Sequence, residues 1–150
     1  MTAPVLDKNR ASAGPGTYVL DEQVGFILRQ VQQRHAVIFA AAFDELTPLQ
    51  WAALSKLVEI GECSQNELGR RIATDVATIK GVVERLIRRG FVAADPDPFD
   101  RRRLLLRPTP EGISAYEGNE GKAHEVSRDT LAPLSAGDRA VFLRLLDRLR

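Results

Sequence analysis

The chain has 150 residues, 21 Lys and Arg against 20 Asp and Glu for a net charge of +1, 44% apolar residues, 11 Gly, 8 Pro and one Cys. That is the size of one domain or one subunit of a small oligomer, and the composition argues against disorder, collagen-like repeats and coiled-coil rods. One cysteine excludes an internal disulfide or a Cys-based zinc site, no apolar run approaches the ~20 residues of a membrane span, and a total near zero argues at first sight against nucleic acid.

Residues 1–17 are rich in Ala, Pro, Gly and Ser and read as a flexible N-terminal arm without a signal or transit pattern, so a cytoplasmic protein is expected. From Val19 to Leu46 apolar residues recur at helical spacing, which predicts one long helix of about 27 residues, or ~40 Å. Thr47-Pro48-Leu49-Gln50 predicts a capping box that opens a helix to Ile60, with Gly61 as its stop. Ser64-Gln65-Asn66-Glu67 predicts a second box, opening a short helix to Ile72. Thr74 or Asp75 then caps a helix over Val76–Arg89, ended by Gly90. Phe91–Ala94 and Leu104–Leu106 are extended candidates on either side of Asp95–Arg103, whose prolines and aspartates favour a hairpin tip. Thr109-Pro110 restarts helix to about Leu131, and Ser135–Asp138 re-caps the chain into a last helix, Arg139–Leu149, with an apolar stripe.

The charge is unevenly placed. Arg70–Arg107 carries ten basic and five acidic residues, net +5, and the rest of the chain is net −4. A basic module on an acidic scaffold points to a polyanion, although a run of charge is often only a solvated face. Two short helices followed by a hairpin with arginines at its tip make a winged helix-turn-helix. The expected fold is therefore mainly α with a small β-hairpin wing, a winged helix-turn-helix joined to a helical dimerisation region. The start of a helix in the major groove reaches base edges, which makes Val76, Ala77, Thr78, Lys80 and Gly81 the candidate readers. Ser64 and Gln65 are placed to touch phosphate, and Arg101, Arg102 and Arg103 to enter the flanking minor groove. The plainer alternative for Arg102 is an ion pair with Asp97 or Asp100. For Arg85, Arg88 and Arg89, a role at the helix C-terminus is favoured over direct DNA contact.

The run from Leu46 to Gly112, above all Asp97-Pro98-Phe99-Asp100-Arg101-Arg102-Arg103 leading into Leu106-Arg107-Pro108-Thr109-Pro110-Glu111-Gly112, resembles the MarR family of bacterial transcription regulators. The resemblance extends over residues 19–150. It implies that Arg102 is the wing-tip residue of the minor groove, that Asp100 braces the wing, and that the first and last helices dimerise the protein. Gly81 stands where a basic residue is common in the family, with Lys80 one position earlier, and Pro108 replaces a Leu of the wing signature. The expected organisation is a winged helix-turn-helix DNA-binding domain over 47–108 and a dimerisation region formed by 18–46 and 109–150. A homodimer would cover helices too apolar for one winged domain, and would read a pseudo-palindromic operator in double-stranded DNA.

In proteins that resemble this one, small aromatic or phenolic acids often bind between the dimer helices and the winged domain, so the resemblance implies a repressor released by such a ligand. Arg34, His35, Phe39, Phe43 and Trp51 are the candidate wall residues, with an ordinary core role as the alternative for each. The stretch Tyr18–Phe26 with Gln33-Arg34-His35 also resembles repressors of aromatic or nicotinate-type catabolism. Redox sensing through Cys63, whose thiol would be activated by a helix N-terminus, is a competing input. A winged-helix module that binds protein is the other alternative, and it would show an exposed apolar patch on the third helix. No metal site, cofactor or catalytic set is expected, and the chain does not read as an enzyme.

Overall fold

Local capping chemistry sets most helix starts in the computed structural model, which describes residues 16–150. The arm expected over 1–17 lies, except for its last two residues, outside the described part. The described chain falls into two compact units, one ending at Arg34 and one spanning His35–Arg150.

In the first unit a 3-10 turn, Leu20–Glu22, precedes helix α1, Val24–Ala42, which continues into the second unit. The expected single helix from Val19 does not form. Gln23 has extended backbone, its side-chain amide donates to the Val19 carbonyl at 2.8 Å, and its own carbonyl accepts the first α-helical bond from Ile27 N–H. Val24, Ile27, Leu28 and Val31 are exposed.

In the second unit α1 stops at Ala42, short of the expected Leu46. The Arg89 guanidinium holds the following link by donating to the Glu45 carbonyl and, at 2.8 Å, to its carboxylate. Helix α2, Pro48–Ile60, has the full Thr47/Gln50 capping box, and both reciprocal bonds are 3.2 Å. Helix α3, Gln65–Arg71, has only half of its box. Ser64 Oγ accepts Glu67 N–H, but the Glu67 carboxylate turns instead to Arg70 and Arg71, because an ionised pair outcompetes a bond to one neutral amide. Helix α4, Val76–Arg88, is capped by Asp75 rather than Thr74. Helix α5, Pro110–Thr130, is capped by Thr109, and helix α6, Ala136–Asp147, is capped by Ser135 and begins three residues before the expected Arg139.

Between α3 and α4 the chain turns through Ala73, whose φ of 54° is unusual for a residue with a Cβ. The turn is fixed by Thr74 N–H donating to the Gly69 carbonyl at 2.9 Å, while a Cβ on Gly69 would stand 3.3 Å from Ile79 Cγ2. Ala73→Gly should relieve the left-handed strain and stabilise the protein by about 1 kcal/mol. In thermal unfolding that is a rise of roughly 3 °C, and a fall would show that the turn is not strained.

The sheet has three antiparallel strands in the order β1-β3-β2: β1 is Cys63–Ser64, β2 Val92–Pro96 and β3 Leu104–Pro108. The register pairs Val92 with Pro108 and Pro96 with Leu104, so both prolines close strand ends, where a missing N–H is tolerated. Both hairpin strands are longer than expected, and the tip shrinks to Asp97–Arg103. β1 was not foreseen, since two residues carry no periodicity. It pairs Cys63 with Leu106 and Ser64 with Leu105. The core joins Leu54 and Leu57 of α2, Leu68 of α3, Ile79, Val83 and Leu86 of α4 and Leu106 of β3, all fully buried. Phe39, Phe43 and Val126 belong to the same cluster.

Candidate nucleic-acid interface

Helix α4 buries Ile79, Val82, Val83 and Leu86 and turns a polar face outward. Val76, Ala77 and Lys80 are exposed, and Thr78 and Gly81 are half-buried. Asp75 Oδ1 accepts Thr78 N–H at 2.7 Å and Oδ2 accepts its hydroxyl at 2.9 Å. Thr78 therefore has no proton to give to a phosphate and keeps only acceptor capacity, which narrows the role expected for it. The same bonds, the backbone one first, hold the Asp75 carboxyl below its ordinary value. The cap is complete at neutral pH and is lost only as pH falls through that lowered value.

The Ser64 side of the interface also differs from expectation. Ser64 is 7% exposed and its Oγ is occupied as the α3 cap acceptor, leaving one hydroxyl proton for an outside partner. Ser64, Gln65, Asn66 and Arg70 line an open cleft of about 450 Å³ whose opposite wall is Arg102, Arg103 and Leu104 of the wing. The cleft brings together Gln65, Arg102 and Arg103, which sequence spacing treated as separate elements. It adds Asn66 and Arg70, which lie on the same short helix as Gln65 but were missed.

Of the ten cations between Arg70 and Arg107, five are held by acids: Arg70 and Arg71 by Glu67, Arg89 by Glu45, Arg107 by Asp95, and Arg102 loosely by Asp100 at 3.4 Å. Arg89 also lies 4.8 Å above the Phe91 ring. Lys80, Arg85, Arg88, Arg101 and Arg103 have no ion-pair partner among the described residues. The net positive charge is thus concentrated on the outer face of α4 and the wing tip. The large apolar side chains exposed on α4 are Val76, next to the exposed Ala77, and Ile87, eleven residues and about 16 Å from Val76, so they do not form one patch.

Asp100 accepts Arg102 N–H at 3.1 Å through its side chain and Arg103 N–H at 2.9 Å through its carbonyl. A second brace, Asp97, was foreseen only as a partner for Arg102. It is 8% exposed, its carboxylate accepts Phe99 N–H at 2.8 Å, and its N–H donates to the Arg103 carbonyl at 2.9 Å.

Away from the basic face, four aromatic rings form a ladder. Phe39 and Phe43 stack at 4.3 Å, Phe43 meets Trp51 at 5.2 Å, and Trp51 stacks on Tyr116 at 5.3 Å. Phe39 and Phe43 are each 6% exposed, and most of their surface is already spent on the core. Phe43 also lines a cleft of about 340 Å³ with Phe91, Asn119 and Lys122, the last two of which sequence reasoning did not single out. His35 Nδ1 lies 2.8 Å from Thr130 Oγ1, and that hydroxyl donates to the Val126 carbonyl at 2.7 Å. Arg34, in the other unit, is engaged in an interaction of its own.

A MarR family signature matches residues 46–104. Over 134 residues the chain is 39% identical to the HTH-type transcriptional repressor NicR of Pseudomonas putida, covering 88% of this chain and 85% of NicR. The chain belongs to the MarR family. A probable transcriptional regulator from Pseudomonas aeruginosa has the same fold at a TM-score of 0.86 and 50% identity, covering 88% of this chain and all of that one. BpsR of Bordetella bronchiseptica, whose DNA binding is regulated by 6-hydroxynicotinic acid, matches at a TM-score of 0.86 and 35% identity over 89% of this chain and 97% of its own.

Within this MarR fold Cys63 is not the activated thiol that its place before a helix allowed. It is buried in β1, and burial first, then the Glu67 charge, push its pKa up against a smaller opposite pull from Arg71. Iodoacetamide at neutral pH should therefore label the folded chain much more slowly than the chain in urea. Equal rates would mean that the thiol is open to reagents. No group of residues suited to a metal occurs among the described residues, and no helix among them is long and apolar enough to cross a membrane.

Proposed function

We propose that this protein is a dimeric DNA-binding transcription regulator, a repressor that a small aromatic acid releases from a pseudo-palindromic operator. The observation that carries the reading is the set of cations on α4 and the wing tip without an acidic partner among the described residues, together with a cleft between α3 and the wing that Arg70, Arg102 and Arg103 line. Val76, Ala77, Thr78, Lys80 and Gly81 then face base edges, Gln65 and Arg70 face phosphate, and Arg101, Arg102 and Arg103 face the flanking minor groove. Residues 47–108 are the reading domain, and 18–46 with 109–150 the dimerisation region. The dimer is supported by apolar side chains that α6 leaves in solvent, Val141, Leu143 and Leu145, and by those on the first turns of α1. Sedimentation at micromolar concentration should give a dimer.

The test of DNA binding is fluorescence anisotropy on duplex from the chain's own upstream intergenic region over a series of salt concentrations. Each neutralised phosphate contributes a slope of about −0.9 in log K against log salt, so two basic faces should give a steep line. Salt-insensitive binding, or none beyond that to random duplex, would sink the proposal. The ligand class is supported by NicR and BpsR as relatives, and the cleft beside Phe43, lined by Lys122 as well as by Asp44 and Glu45, is large enough for a single ring. His35, Phe39 and Trp51 remain ligand candidates in the second unit, and Arg34 a candidate in the first. A thermal-shift screen of hydroxylated and pyridine carboxylic acids checks this, since a ligand at 100 times its Kd adds about 2.7 kcal/mol.

A further inference from the structure

Phe99 is 99% exposed, the highest value of any large apolar side chain among the described residues. The loop that carries it is tied on both sides. Asp97 accepts Phe99 N–H at 2.8 Å and donates to the Arg103 carbonyl, while Asp100 accepts from Arg102 and Arg103. The backbone is therefore held in tight turns while the ring stays in water. Both acids of the tip bond its backbone, Asp100 meets the Arg102 side chain only at 3.4 Å, and three exposed arginines, Arg101, Arg102 and Arg103, follow the ring in the same tip. An exposed apolar plate on the same tip as three exposed cations suits an anionic partner that also has apolar walls. The minor groove of duplex DNA is such a partner, because its potential attracts guanidinium groups and its sugar and base edges accept apolar side chains that partly unstack a step.

We propose that Phe99 is a reading element of the wing that packs into the minor groove beside Arg102 and favours flanking steps that open easily. This rests on the DNA-binding reading above. A phenyl ring makes no hydrogen bond to a base, so its preference follows deformability. Pyrimidine–purine steps such as TA, which unstack readily, should be favoured over stiffer flanks.

The test uses the full chain and duplexes with one common core and either TA-containing or GC-rich flanks, measured for wild type, Phe99→Ala and Phe99→Leu at two salt concentrations. Phe99→Ala should lose about tenfold affinity on the TA flank and all preference between flanks, with the salt slope unchanged because no charge is removed. Phe99→Leu should keep most of the preference. A 2-aminopurine placed in the flank should brighten when wild type binds and stay dark with Phe99→Ala. Wild-type affinity and flank preference in Phe99→Ala would overturn the proposal, as would loss of the dimer in that variant, which would place the ring in a subunit contact. If wild type itself shows no salt-dependent preference for its own DNA, the DNA-binding reading falls. If wild type binds and Phe99→Ala matches it, only the role of Phe99 falls.

Discussion

Gly112→Ala is expected to destabilise the protein by about 3 kcal/mol and to lower its melting temperature by roughly 10 °C. Gly112 is buried in the first turn of α5, and a Cβ there would overlap the Phe91 carbonyl. That carbonyl cannot step aside. It accepts Thr109 N–H at 3.0 Å, and the Thr109 hydroxyl donates to the neighbouring Gly90 carbonyl at 2.6 Å, so the start of α5 is bonded to the α4–β2 junction across the same gap. Relief requires moving α5 away and giving up those bonds. The control is Gly121→Ala on the same helix, where a Cβ meets nothing within 4 Å. Helix propensity alone acts there, and a gain of about 0.8 kcal/mol is expected. Melting curves of the two variants should move in opposite directions, and a Gly112→Ala curve within about 2 °C of wild type would mean that the helix does not dock so closely.

Arg102→Ala should weaken operator binding by roughly tenfold to a hundredfold, the range of one well-placed arginine contact, with fold and dimer unchanged. The Arg102 side chain is 94% exposed and its one ion pair among the described residues is the 3.4 Å contact with Asp100, so removing it costs the free protein almost nothing. Its N–H, which anchors the tip to Asp100, survives the substitution. Anisotropy gives the affinity, and sedimentation with a melting curve gives the controls. Loss of the dimer, or an unchanged affinity, would mean that the wing tip does not meet DNA.

Most helix starts were legible because each is written in a few adjacent residues: Thr47-Pro48, Ser64 and Thr109-Pro110 cap where expected, Asp75 is one of the two caps expected for α4, and Ser135 caps α6 one turn earlier than expected. The wing was legible from proline and aspartate placement together with the family signature. What sequence reasoning missed depends on partners distant in the chain. Apolar spacing overextends α1 at both ends because it continues through Gln23 and Asp44-Glu45, and neither the Gln23 side-chain bond nor the grip of Arg89 on Glu45 leaves a periodic mark. The α3–α4 turn has Ala73 where glycine would have announced the left-handed backbone. Glu67 was assigned to a capping box by its spacing, yet the arginines one turn on claim it. In the site, charge counting found the basic segment but could not tell the arginines that hold the fold, such as Arg89 and Arg107, from those left open, such as Arg101 and Arg103.

The two-residue strand β1 has a consequence for any operator. By pairing Cys63 and Ser64 with Leu106 and Leu105, it ties the loop that launches α3 to the strand that leads out of the wing. Helix α3, the turn into α4 and the hairpin tip are thereby ruled off on one backbone gauge, whose length no side-chain rotation alters. In the proposed reading, a half-site and its flank must be supplied at one fixed separation. An operator with a single base pair inserted between them could satisfy the helix or the arginines of the wing, but not both. An insertion midway between the half-sites would test a different joint, the one between subunits.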